Sequence, residues 1–172
     1  IGEHGAHRRD LALGVGVRAV DDVEEQVGLG DLLQRGTERL DELVRQGKRD
    51  LTVIANDTAM PNLGIGKLIH ARLVSKAIVS HIGLNPETQQ QMIAGELQVE
   101  LVPQGTLIER IRAGGYGLGG ILTATGVGTL VEEGKQKVTV GGKDYLVEPA
   151  LHADFALVNA FLADYLGNLS YA

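Results

Sequence analysis

The chain reads as an α/β domain: a mostly parallel, open sheet flanked by helices, with an antiparallel hairpin inserted near 136–148. Three observations predict it. The near-continuous apolar runs "LTVIA" (51–55), "KAIVS" (76–80) and "VELV" (99–102) have strand length and read as strands covered on both faces. Helical segments separate them, so strands and helices alternate. Late in the chain the apolar period falls to two, and Gly141-Gly142 sits between two such runs.

In chain order, residues 1–35 form an atypical leader. Its first 34 residues contain no Lys, Ser, Thr, Pro or Asn. Weak periodicity makes it a poorly ordered, partly helical or frameshift-derived segment. The domain is expected over 36–172. Thr37 is placed to cap a helix carrying Leu40, Leu43 and Val44 on one face, with Gly47 as its stop. "DLTVIAND" is a buried strand, "GIGKLIHARL" a short helix, and "KAIVSHIG" a second buried strand. Asn85 and Pro86 open the next helix as N-cap and first helical residue. "VELVP" is the third strand. Thr106 and Glu109 form T-x-x-E, a capping box that predicts a helix starting at Thr106, and Gly114-Gly115 is read as its end. "ADFALVNAFLADYLGNLSYA" resumes buried-strand character. The chain opens without Met and closes on a strand-like run, so the domain is expected to be C-terminally truncated and its sheet incomplete at both ends.

Composition bounds the function. With 172 residues, 44% hydrophobic and 22% charged, one folded domain is the default. A formal net charge of −6 and 3% aromatics argue against nucleic acid and against an anionic membrane surface. A local nest of N–H groups can still hold a small anion. The absence of cysteine excludes disulfides, thiolate metal sites and cysteine nucleophiles, and fits a cytoplasmic protein. No apolar run reaches membrane-spanning length, and the first residues lack an apolar signal core.

In open α/β sheets, ligands gather at the carboxyl ends of the strands. Three such ends carry Asn56-Asp57, Ser80-His81 and Pro103-Gln104-Gly105. Ordinary turn chemistry explains each equally well when taken alone. Gln104 and Gly105 stand where a helix begins, and that end suits an anion or oxyanion. The Gln104 amide either adds a donor to that site or satisfies a loop carbonyl. "GYGLGG" and "GVGT" match phosphate loops only loosely, with no following lysine, and are read as a helix stop and a shaped loop. The five histidines lack metal-ligand spacing, so no metal is expected. His81 is read as a core histidine in preference to a cleft residue. Glu132-Glu133 reads as a solvated turn beside the hairpin. With no nucleophile motif, the residues describe an anion-binding α/β scaffold without its own nucleophile.

The strings "DLTVIANDTA", "VSHIGLNPETQQQMIAGEL", "VELVPQGTLIERIRAGGYGLGG", "LTATGVGTLVEEGKQ" and "ADFALVNAFLADYLGNLSYA" resemble one family. It is that of the alpha subunits of acetate or butyrate–acetoacetate coenzyme A transferases, with the N-terminal half of succinyl-CoA:3-ketoacid transferases. The resemblance runs from Gly36 to Ala172. It implies a Rossmann-like transferase fold and CoA transfer between short-chain carboxylic or 3-oxo acids through a glutamyl-CoA thioester. It implies that the glutamate lies on a partner beta subunit, giving a hetero-oligomer with no bound cofactor and an acyl-CoA substrate. It puts Gln104, beside Gly105, in the oxyanion hole and matches Asn56, Ser80 and Asn85 to substrate- or CoA-binding positions. Family members carry a G-G-F loop and a G-T/I-P-E helix start where "GLGDLLQRGTERLDELV" keeps only the tail. They also continue past "GNLSYA", so this chain is expected to lack part of its cleft. Two other readings stay open: an inactive truncated product, and a sugar-phosphate isomerase or sensor on a related scaffold.

Overall fold

The computed structural model describes residues 9–13 and 40–171, apart from 159, 165 and 167. The elements in order are β1 (Arg9–Leu13), α1 (described over 40–46), β2 (Leu51–Ala55), α2 (Gly66–His70), β3 (Val74–Val79), α3 (Pro86–Ile93) and β4 (Gln98–Leu101). Then follow α4 (Gln104–Gly115), β5 (Gly120–Thr123), a 3₁₀ turn (Leu130–Glu132), β6 (Lys137–Val140), β7 (Lys143–Pro149), β8 (Phe155–Leu157), β9 (Leu162–Ala163) and β10 (Leu169–Ser170). They fall into two units. One runs to Glu100 and resumes at Asp154; the other is Leu101–Ala153.

The first unit is built on a five-stranded sheet of order β4-β3-β2-β1-β8. The β2–β3 pair is parallel, as the apolar runs predict, and so are β1–β2 and β1–β8. Every residue of β2 is buried. That is what a central strand covered on both faces requires, and it explains why "LTVIA" shows no alternation. Val53, Leu68, Ile69, Ala77 and Val79 are fully inaccessible and form the core with Leu40, Leu51, Leu73, Val74 and Leu97. On α1, the Glu42 carboxylate accepts from Arg45 Nε and Nη2 and from Gln46 Nε2, each at 2.6 Å. The Arg45 hydrogen bonds, then that of Gln46, hold Glu42 down to about 2.

Three expectations change here. Arg9–Leu13 of the leader is a strand between β2 and β8; the rest of the leader and the Thr37 cap lie outside the described residues. β4 stands at the end of the sheet with its residues only partly covered, so "VELVP" is less buried than its composition suggests. The final stretch yields β8 and a small antiparallel β9–β10 ribbon, with Phe155, Phe161 and Leu162 exposed. Among the described strands β8 pairs with β1 alone, which leaves one of its backbone edges unpaired.

The second unit packs α4 against an antiparallel sheet of order β5-β7-β6. β6 and β7 are the expected hairpin. Gly141 and Gly142 both have positive φ, 59° and 77°, as a two-residue turn of the right twist demands. The helix differs from expectation at both ends. It begins at Gln104, with Pro103 as N-cap and no side-chain cap. Thr106 is buried, and Glu109 pairs with Arg112 at 3.3 Å, so no capping box forms. Gly114 and Gly115 lie inside the helix. The stop is Gly117 at φ 71°, with Leu118 N–H donating to the Ala113 carbonyl (2.9 Å) and Gly117 N–H to that of Gly114 (3.2 Å). That pair of bonds is a Schellman ending.

Candidate functional site

In the first unit, β2 and β3 end side by side. The Asn56 carbonyl accepts from Ser80 N–H (2.9 Å), His81 N–H (3.1 Å) and Ser80 Oγ (2.8 Å). Asn56 and Ser80 are thereby brought together at the carboxyl edge of the sheet. The loop after Asn56 is tightly specified. Asp57 Oδ1 accepts from Ala59 N–H at 2.7 Å, and Ala59 holds a φ of 53°, a region costly for a residue with a Cβ.

Asn85 supports that loop from below. Its side chain is fully buried. Oδ1 caps α3 by accepting from Glu87 and Thr88 N–H, and Nδ2 donates to the Thr58 carbonyl at 3.1 Å. The hydroxyls of Thr88 and Thr58 meet at 2.8 Å beside it. Asn85 thus confirms the predicted cap, and its amide is committed to protein partners at both ends. Any influence it has on a ligand passes through the loop it braces. His81 is exposed, with its ring over Gly83, so it is not the core histidine expected from the strand before it.

In the second unit, Gln104 and Gly105 are exposed in the first turn of α4. Leu107 N–H already bonds the Pro103 carbonyl at 2.9 Å. Earlier N–H groups of a helix have no carbonyl of their own helix to meet, and the dipole makes that end partially positive. A Cβ on Gly105 would meet nothing within 4 Å, so there is room beside Gly105 itself. The turn can present backbone N–H groups and a carboxamide to an anionic oxygen.

The Glu132 carboxylate is paired beside the hairpin. Lys137 Nζ at 2.6 Å and Gly128 N–H at 2.6 Å bind it, and both hold its pKa below the usual carboxylate value, Lys137 more strongly. Among the described residues no group of three or more His, Asp or Glu could hold a metal.

The sequence reasoning missed Arg110, Lys135 and Glu148. Arg110 and Glu148 are buried, and Lys135 reaches the same carboxylate. The pattern did carry a signal. On α4 the buried positions are Thr106, Leu107, Arg110 and Ala113, so an arginine sits in the apolar stripe. On β7, Glu148 shares the inward face with Leu146. A charge on the inward face of each element foretells an ion pair.

Comparison with known proteins shows the family of the chain. Residues 25–172 match the family model described as coenzyme A transferase, a match that starts within the leader. The chain is 62% identical over 129 residues to the acetate CoA-transferase subunit alpha of Escherichia coli (strain K12), covering 75% of this chain and 59% of that one. It is 52% identical over 145 residues to the acetoacetyl-CoA:acetate/butyrate CoA transferase alpha subunit of Clostridium acetobutylicum, covering 83% and 66%. It therefore spans less than two thirds of the length of either relative. Among solved structures, the fold is similar to an acyl-CoA transferase apoenzyme from Escherichia coli O157:H7. The TM-score is 0.67 at 21% identity, covering 91% of this chain and 32% of that one.

Proposed function

Because the chain belongs to the coenzyme A transferase family, we propose that it is the alpha subunit of a transferase that moves CoA between short-chain carboxylic or 3-oxo acids. The beta partner supplies the glutamate that attacks the acyl-CoA and then carries CoA as a thioester. This chain supplies the oxyanion donors. The observation that carries the reading is the first turn of α4, where Gln104 and Gly105 are exposed and nothing lies within 4 Å of a Cβ built on Gly105. When a carboxylate adds to a thioester carbonyl, negative charge develops on one oxygen. A fixed amide donor to that oxygen is typically worth about 3 kcal/mol of barrier. Asn56 and Ser80 contribute to the substrate and CoA site at the sheet edge, and Asn85 holds the loop beside them. The relatives' names, alpha subunits of an acetate CoA-transferase and of an acetoacetyl-CoA:acetate/butyrate CoA transferase, support the class of acids and the existence of a partner. A cytoplasmic site of action belongs to the same proposal. Among the described residues no helix is long and apolar enough to cross a membrane.

The test is co-production with a beta subunit and measurement of CoA transfer between acetate and acetoacetyl-CoA. Gln104→Ala is expected to lower kcat about 100-fold while the complex still assembles. Unchanged turnover would remove Gln104 from the oxyanion site. An assembled complex with no transfer would overturn the function itself.

A further inference from the structure

Three separate pieces of the second unit converge on one carboxylate. Glu148 of β7 is 1% exposed and is, among the described residues, the one carboxylate in the buried class. Its Oε1 accepts from Lys135 Nζ at 2.5 Å, and Lys135 belongs to the loop before β6. Its Oε2 faces Arg110 Nη1 at 3.8 Å, and Arg110 belongs to α4. Arg110 Nε also donates to the Pro149 carbonyl at 2.9 Å, and the Arg110 carbonyl accepts from Leu151 N–H at 2.9 Å. One turn further along α4, the backbone of Leu151 lies so close to Gly114 that a Cβ there would be 2.0 Å from its oxygen.

A buried ion pair is weak evidence for stability, because apolar residues of similar volume often serve as well. Direction is what the hydrogen bonds around it add. The second half of α4 is fixed in place and rotation by these contacts, whereas its first turn has no side-chain cap. From Arg110 to Gln104 the helix rises by about 9 Å. A tilt of about 6° at Arg110 therefore moves Gln104 by about 1 Å, and a misplacement of that size can cost about 100-fold in rate.

We propose that Glu148 is a positioning residue: by holding Arg110 and Lys135 it sets where α4 presents Gln104. This rests on the function proposed above. The experiment compares the complex of this chain and a beta subunit with the variants Glu148→Gln and Arg110→Met/Glu148→Leu. Glu148→Gln is expected to lower kcat at least tenfold with KM for acyl-CoA changed less than threefold. It should also speed deuterium uptake by the amides of residues 107–110, which bond back onto the first turn. The double variant is expected to regain thermal stability and to keep the tenfold loss of kcat, which a merely structural role would restore. A folded Glu148→Gln complex with kcat within twofold overturns the proposal. So does unaltered uptake at 107–110, or a double variant with full turnover. If Glu148→Gln does not fold, the double variant decides alone. If the unsubstituted complex transfers no CoA, the proposed function fails, while uptake at 107–110 still decides whether Glu148 positions the helix.

Discussion

Replacing Gly114 by Ala should destabilise the second unit, while the same change at Gly115 should not. An ideal Cβ at Gly114 would lie 2.0 Å from the Leu151 oxygen and 3.0 Å from its carbonyl carbon. Both are backbone atoms and cannot swing aside. Restoring van der Waals contact requires the chain at Leu151 to retreat by about 1 Å or more. The bonds from Leu151 N–H to the Arg110 carbonyl and from Arg110 Nε to the Pro149 carbonyl, both 2.9 Å, would then be lost or badly stretched. Each partly or fully buried bond left unmade costs about 1–3 kcal/mol. Alanine's better helix propensity returns about 1 kcal/mol. The net cost is about 1–5 kcal/mol. Gly115 has no atom within 4 Å of its would-be Cβ, so Gly115→Ala should gain about 1 kcal/mol. The chain has no Trp, so urea unfolding is followed by circular dichroism, and the two midpoints are compared. Equal midpoints, or a Gly115→Ala variant less stable than Gly114→Ala, would refute the close-approach argument.

Gly105→Ala separates folding from function at the other end of the same helix. With open space around the new methyl, stability should hold or rise by up to about 1 kcal/mol, while CoA transfer by the complex should fall at least tenfold; full activity would mean that nothing approaches this turn closely. On α1, the folded state depresses the Glu42 pKa from 4.5 to about 2, so its ionised form favours folding above pH 4.5. That contribution is lost as pH falls from 4.5 through about 2. Carboxyl titration by NMR should show it, and Glu42→Gln should flatten the acid limb of α1 melting; a Glu42 that titrates near 4.5 would contradict the hydrogen bonding seen here.

Within the first unit β2 and β3 were legible because they are nearly uniform in hydropathy, whereas β1, which opens with Arg9 and Asp10, passed for leader. "LTVIA" admits one interpretation at that length, and β2 is buried throughout. Asn85-Pro86 was equally clear, since an N-cap and a first-turn proline are local chemistry, and Asn85 does cap α3. The Thr106 capping box failed because Thr106 sits on the buried stripe of α4, where packing overrides the local motif. Pro103 also turns the chain early enough for Gln104 to start the helix. Gly114-Gly115 misled for a different reason. Glycine marks both helix ends and close approaches, and only the neighbouring backbone, here Leu151, tells them apart. At the site, the exposure of Gln104 and Gly105 followed from their place at a junction. The burial of Glu148 with Arg110 did not, because it joins positions 38 residues apart in sequence on two different elements.

An oxyanion site built on a helix end faces two competing demands. The turn must be open in front, so that a reacting oxygen can approach its N–H groups. It must also be fixed, because donors that reorganise during reaction lose their advantage. A side-chain cap would fix the turn but occupy the very groups it is meant to present. In α4, the helix proposed for that role, the demands are separated along one rod: the first turn carries no side-chain cap and has room at Gly105, while Arg110 and Gly114 hold the helix further along. Apolar contact alone would resist separation but is non-directional. The ion pair and the two backbone contacts set rotation and tilt as well. Substitutions in the second half of α4 should therefore alter turnover without touching Gln104, and their effect should track the orientation of the first turn more closely than the loss of stability.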